Sequence, residues 1–163
     1  MNRIIILGCA GSGKTTLARQ LARRIAAPVI CLDEIWEHLG KDNLGRFREM
    51  LTEAHASEAW VSDGNFALAT FDIRLPRADL VIWLDRPRLS CAWRATMRVF
   101  QPGQHHRPRD VAKVLRFIWG FDRINRPRIE AARAEHGLHA PVVRLRNDRE
   151  IAALLRAARP TSA

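Results

Sequence analysis

The stretch Gly8-Cys9-Ala10-Gly11-Ser12-Gly13-Lys14-Thr15 constrains this chain more than any other. It matches the pattern G-x-x-x-x-G-K-[ST] in full. Before it runs a short β-rich apolar segment, Arg3 to Leu7. After it, from Thr15 to Ala26, Leu17, Ala18, Leu21, Ala22 and Ile25 recur at helical spacing. Glycines between a strand and a helix allow backbone angles that point successive N–H groups inward around an anion. The helix start adds the positive end of its dipole. Lys14 then reaches the outer phosphates of a nucleoside triphosphate, and the Thr15 hydroxyl can ligate Mg²⁺. The pattern predicts an ATP and Mg²⁺ site built from Gly8, Cys9, Ala10, Gly11, Ser12, Gly13, Lys14, Thr15 and Thr16.

The remaining sequence alternates strand and helix signals. Pro28 closes the first helix, and Val29 to Leu32 reads as a second strand. Residues 34–40 form a short helix stopped by Gly40, and residues 45–58 another, with Phe47, Met50, Leu51 and Ala54 on one face. Trp60 to Ser62 is a third strand, and Leu80 to Leu84 a fourth after a linking segment. Pro87 suits the first turn of a helix running to Phe100. Gln101 to Asp110, with Pro102, Gly103 and Pro108, reads as a loop. Residues 110–136 are helical with a break near Pro127, Pro141 to Leu145 is a fifth strand, and Arg149 to Ala158 a closing helix. Such alternation implies an α/β fold with a parallel sheet covered on both faces. The 163 residues fit one domain spanning 1–163. Apolar runs such as Ile4 to Leu7 fall far short of the roughly 18 residues of a membrane span, and the first of them is too short for a secretory leader. Three cysteines, Cys9, Cys31 and Cys91, with no C-x-x-C spacing, predict a reducing, cytoplasmic setting and no zinc site.

Functional groups in such folds gather where strands end. That rule selects Gly8 to Thr15, Asp33, Asp63 and Asp85. Asp33 would hold or deprotonate an acceptor hydroxyl, or position Mg²⁺ through water; the alternative is a cap for the helix after it. Asp63, before Gly64, would hold Mg²⁺-bound water or the acceptor; the alternative is an Asx turn. Asp85 is expected to cap the helix after Pro87, and Glu34 to sit in a first helical turn. No N-K-x-D stands in the chain, which argues against a GTPase. A motor or AAA-type ATPase normally needs a longer chain and an Asp-Glu pair on a later strand. Here Leu32-Asp33-Glu34 ends the second strand, where small kinases keep acceptor-binding groups.

Charge adds a second constraint. The chain carries 27 Lys+Arg against 17 Asp+Glu, a formal net charge of +10. Residues 1–85 hold 10 basic and 11 acidic side chains, whereas residues 86–128 hold 11 and 2. The excess therefore belongs to one segment. Of the basic residues 24 are Arg and 3 are Lys, an imbalance that genome composition also produces.

The residues resemble the nucleoside-monophosphate kinase superfamily. More narrowly, they resemble the small adenylate-kinase-like proteins known as DNA topology modulation proteins. The likeness rests on the glycine-rich loop, Leu32-Asp33-Glu34-Ile35-Trp36, Trp60-Val61-Ser62-Asp63-Gly64-Asn65-Phe66 and Asp72-Ile73-Arg74-Leu75-Pro76-Arg77-Ala78-Asp79. It continues through Leu84-Asp85-Arg86-Pro87-Arg88, Trp119-Gly120-Phe121 and Asn125-Arg126-Pro127. The resemblance implies a P-loop NTPase three-layer α/β/α sandwich, a five-stranded parallel sheet of order 2-3-1-4-5, and a mobile helical lid at residues 101–128. In such kinases lid arginines neutralise charge on the transferred group. Arg94 and Arg98, four apart, share a helix face and resemble the arginine-bearing helix of adenylate kinases. Arg107, Arg109, Arg123, Arg126 and Arg128 are lid-side candidates. Where adenylate kinases carry Gly-Phe-Pro-Arg, this chain has Gly64-Asn65-Phe66-Ala67, so the arginine that grips the monophosphate is missing; Arg74 stands as a substitute.

These readings converge on a Mg²⁺–ATP-dependent kinase with a small phosphoryl acceptor, such as a nucleoside monophosphate. Its expected catalytic set is Lys14, Asp33, Asp63, Arg94, Arg98, Arg123 and Arg126, with Thr15 and Asp63 at the metal. The rival is a nucleotide-binding regulator, an ATPase whose basic segment contacts DNA. Trp93, Phe100, Phe117 and Trp119 interleave with arginines as stacking surfaces do. Helix packing by Phe117, Trp119 and Phe121 is the preferred account of the same residues, so nucleic acid is the disfavoured partner and no membrane is expected.

Overall fold

A computed structural model describes residues 2–39, 43–99 and 108–158. Its five strands are β1 (Arg3–Gly8), β2 (Val29–Cys31), β3 (Trp60–Asp63), β4 (Leu80–Leu84) and β5 (Val142–Leu145). They pair in parallel in the order β2-β3-β1-β4-β5, as the P-loop sandwich requires. The helices are α1 (Lys14–Ile25), α2 (Leu32–Leu39), α3 (Leu44–Ala54), α4 (Ala67–Arg74), α5 (Arg88–Val99), α6 (Pro108–Gly120), α7 (Arg126–His136) and α8 (Asp148–Ala157).

The side-chain period of two explains why β1 reads as an unbroken apolar run. Ile5 and Leu7 point into one layer, with Val81, Trp83, Phe47 and Phe71. Ile4 and Ile6 point into the other, with Leu17, Leu21, Ile82 and Leu155. All four β1 residues are fully buried, so both faces need apolar side chains. Full burial contributes about 1.5–3 kcal/mol for each such side chain. Register then aligns the strand ends. Ile6 lies opposite Asp63, and Gly8 opposite Leu84, so the turns after β1, β3 and β4 open on one edge of the sheet.

Some local expectations change. Helix α2 begins at Leu32, so Asp33 lies inside its first turn rather than capping it. The linking segment after β3 is itself helical, as α4 followed by a 3-10 turn, Leu75–Arg77. The break foreseen near Pro127 is a π-helical segment, Phe121–Asn125, where the Arg126 N–H donates to the Phe121 carbonyl. Proline lacks an N–H and crowds the carbonyl four residues earlier, and widening the helix by one residue relieves that without ending it. Residues 101–107 of the expected loop and lid, Arg107 among them, lie outside the described residues, as do Phe100, Gly40 and the side chain of Arg109. No described helix is long and apolar enough to cross a membrane.

Candidate active site

The β1–α1 turn forms the floor of a cleft of about 530 Å³. Ala10, Gly11, Gly13, Lys14, Thr15 and Thr16 line it. Gly8, Cys9 and Ser12, expected beside them, do not line it; Ser12 is fully buried and Cys9 is 7% exposed. The Cys9 carbonyl accepts hydrogen bonds from the Ser12 N–H at 3.2 Å and from Lys14 Nζ at 3.1 Å, which holds the lysine over the loop. Gly11 has a positive φ of 75°, and a Cβ there would stand 2.2 Å from the Cys91 carbonyl oxygen, so only glycine fits against α5. Gly13, at φ 97°, caps α1 without any side-chain bond, and no acidic residue stands in the first turn. By contrast Asn43 and Asn147 cap α3 and α8 with their side chains. The first N–H groups of α1 are thus left for an anion.

Two carboxylates meet this loop. Asp63, 2% exposed at the end of β3, accepts the Thr15 hydroxyl through Oδ2 at 2.5 Å. Its Oδ1 is buried with no protein partner. Burial raises its pKa, while the Thr15 hydrogen bond and the charge of Lys14 oppose that rise. A buried carboxylate oxygen without a partner next to a threonine hydroxyl fits a hydrated hard cation. Among the described residues no cluster of three His, Cys, Asp or Glu could hold a metal alone, so any Mg²⁺ at Thr15 and Asp63 would need waters and phosphate oxygens to fill its coordination. Asp33, exposed to the cleft, also has a raised pKa because its surroundings desolvate it, against the pull of Lys14.

The turn from β3 to α4 carries a contact that sequence reading missed. The Asn65 side chain accepts from the Gly8 N–H at 3.2 Å and donates to the Gly8 carbonyl at 2.9 Å, tying this turn to the phosphate loop. Only its position after Asp63-Gly64 hinted at it. Arg74 holds the same turn from beneath and does not substitute for a monophosphate-gripping arginine. It is fully buried, donating to the Gly64 carbonyl at 3.0 Å, the Asn65 carbonyl at 3.2 Å and Ser62 Oγ at 3.2 Å. Burial brings its pKa down to about 9. Ser62 in turn lies 3.0 Å from His55 Nε2, and His55 Nδ1 lies 2.7 Å from the Leu51 carbonyl. Burial lowers the His55 pKa to about 4, so the neutral imidazole donates to Leu51 and accepts from Ser62.

The predicted arginines separate. Arg98 lines the cleft, and so does Arg128. Arg94 Nη1 lies 3.8 Å from where a Cβ of Gly13 would stand, held from behind by Asp148 at 3.6 Å. Arg126 departs from expectation. It pairs with Asp85 and, at 3.3 Å, with Asp122, over the Trp83 ring. Asp85 is therefore an ion-pair partner, whereas a helix cap was expected. Arg123 also departs, flanking a separate hollow with Arg116, Trp119 and Ile124. The helical pitch that turns Arg128 inward turns these two away. Trp119 does not pack as expected either, being 52% exposed, while Phe121 is buried edge-on to Phe117 at 5.7 Å. Asn65, Phe66, Ala69, Phe117, Asn125 and Ile129 also line the cleft. Phe66 and Asn125 lie in segments that carry the resemblance and Phe117 reads as helix packing, but the sequence assigns none of these to the site.

Comparison with known proteins agrees with this geometry. Residues 3–156 match the family AAA_28, an AAA domain. No curated protein sequence matches significantly. Among solved structures, shikimate kinase from Acinetobacter baumannii in complex with shikimate is similar with a TM-score of 0.62 and 20% identity, over 96% of this chain and 90% of that one. Shikimate kinase from Bacteroides thetaiotaomicron gives 0.61 and 22%, over 96% and 95%. A gluconokinase from Sinorhizobium meliloti 1021 gives 0.57 and 19%, over 96% and 89%. At these identities the likeness is one of fold.

Proposed function

The chain belongs to the AAA-domain family AAA_28, and on that premise we propose that it is an ATP-dependent phosphotransferase acting on a small hydroxyl-bearing acceptor. The AAA-type assignment set aside on chain length is thus the family's own label, because the matched region is the P-loop sheet, which 163 residues suffice to build. What favours transfer to an acceptor over bare hydrolysis is Asp33. It lines the cleft together with the phosphate loop, in the first turn of α2 just after β2, as an exposed carboxylate of raised pKa.

The residues then divide the work. The loop N–H groups and Lys14 hold the β- and γ-phosphates. Thr15 and Asp63 would hold Mg²⁺, which when bound neutralises charge on the phosphates. Asp33 orients the acceptor hydroxyl and takes its proton as the acceptor oxygen bonds to the γ-phosphorus and the bond to the β,γ-bridging oxygen breaks. Arg94 and Arg98 offset charge on the transferred group. The test is ADP release from ATP and Mg²⁺ with and without acceptors. Stimulation by an acceptor, lost in Asp33→Asn with ATP affinity retained, supports the reading. Phosphate release that no acceptor changes reduces the protein to an ATPase.

One observation favours a second reading, the ATPase regulator that contacts nucleic acid, as the resemblance to DNA topology modulation proteins implies. Trp93 and Trp119 are 66% and 52% exposed in the basic segment. A salt titration of single-stranded DNA binding decides it: tight binding that weakens steeply with salt supports this reading, and no binding at physiological salt removes it.

A further inference from the structure

The cleft has a second wall that phosphate binding leaves without a ligand. Phe66 and Ala69 come from the start of α4, Phe117 from α6, and Arg128 and Ile129 from α7. Resting on the kinase reading, we propose that this wall receives a small hydroxy acid: its carboxylate on Arg128, its carbon skeleton against Phe66, Phe117 and Ile129, its hydroxyl turned to Asp33.

Charge bookkeeping among the arginines carries the inference. Arg86 is held by Asp148, Arg88 by Asp122, and Arg126 by Asp85 and Asp122. Arg128 is exposed on the cleft with no ion-pair partner among the described residues. A guanidinium offers two parallel N–H groups, the geometry of one carboxylate. The α4 side of the cleft supplies no second cation among the described residues. Arg74 is buried and committed to the carbonyls of the turn, and Arg48 is held by Asp72 and the Ala69 carbonyl. A phosphate monoester carries about −1.5 to −2 charges at neutral pH. On this wall it would face Arg128 alone, because Arg98, the other arginine lining the cleft, is given to the transferred group, and Asp33 stands on the same cleft. A carboxylate carries one charge and is matched by Arg128 alone. Four apolar residues, Phe66, Ala69, Phe117 and Ile129, give the skeleton an apolar face to pack on. The cleft of about 530 Å³ has to admit the triphosphate as well, which favours a compact acceptor over a second nucleotide.

The experiment measures ADP release by the full chain with ATP and Mg²⁺ and three probe sets: quinate, shikimate and gluconate; the uncharged polyols myo-inositol and sorbitol; and AMP, CMP, GMP and UMP. We expect at least one acid to raise the rate about tenfold or more above background, with neither other set doing so. For that acid Arg128→Gln should raise KM about 30-fold or more, leave the KM for ATP within about threefold, and retain the thermal shift given by ADP. Arg128→Lys should recover part of the loss. Stimulation by a polyol or a monophosphate leaves the kinase reading standing and overturns the hydroxy acid. Stimulation by nothing, with ATP still bound, overturns both. A rise in the KM for ATP with none for the acid overturns the assignment of Arg128.

Discussion

The two walls of the cleft fix their charges by different means. On the loop wall each group is held by backbone or by one nearby side chain: Lys14 on the Cys9 carbonyl, Thr15 on Asp63, Gly8 on Asn65. On the arginine wall the side chains come from α5 and α7, where Arg88, Arg94 and Arg126 already have a carboxylate, as does Arg86 just before α5. What distinguishes Arg98 and Arg128 is the lack of one among the described residues, together with their place on the cleft. A local turn thus builds a phosphate site by geometry. On the proposed reading, a basic segment builds an anion site by leaving a few arginines without a carboxylate.

The largest effect that sharpens this contrast is on the loop wall. Lys14→Ala should cut ATP turnover about 10²–10³-fold or more and weaken ATP binding in calorimetry. Normal turnover would break the comparison, because the loop would then not be the phosphate site. Next comes Arg74→Met, which leaves the Gly64 and Asn65 carbonyls without their donor. Urea denaturation should show a loss of about 3 kcal/mol or more, whereas Arg128→Met should stay within about 0.5 kcal/mol. Equal losses would mean that the buried and the cleft arginine play one role.

His55 gives a pH signature of the buried side. Its pKa falls from 6.5 unfolded to about 4 folded, so the unfolded chain binds the extra proton between those values. Stability is then full above about pH 6.5 and drops as pH falls toward 4, by up to about 3 kcal/mol. His55→Gln should flatten that part of the stability–pH curve, and an unchanged slope would assign it to other groups. Smallest is Asn65→Ala, which removes both bonds to Gly8. We expect ATP affinity to fall about tenfold, with a stability loss of about 1–2 kcal/mol. Unaltered ATP affinity would show that the loop needs no support from the β3–α4 turn.

Much of the fold was legible because its signals are local. The apolar runs Ile4 to Leu7 and Leu80 to Leu84 are buried strands, and Pro28 follows the end of α1. The π-helical segment before Pro127 was legible only as a break, since proline marks where the helical hydrogen-bond pattern fails but not how the chain repairs it. Of the expected site, the loop came from its glycine–lysine motif, and Asp33 and Asp63 from position alone, because strand ends in a parallel sheet share one edge. Arg123 and Arg126 were misplaced because sequence counts arginines and does not show which way a helix turns them or whether a carboxylate is waiting.

By itself, then, the sequence determined the phosphate loop and the α/β order. Both depend on backbone angles and periodicities set within a dozen residues. Only the tertiary structure decided that Arg74 serves the turn, that Arg126 serves Asp85, and that Arg128 faces the cleft. Those assignments depend on partners 9 to 41 residues away along the chain, or on the lack of one among the described residues, and a guanidinium already paired to a neighbour is less free to bind a ligand.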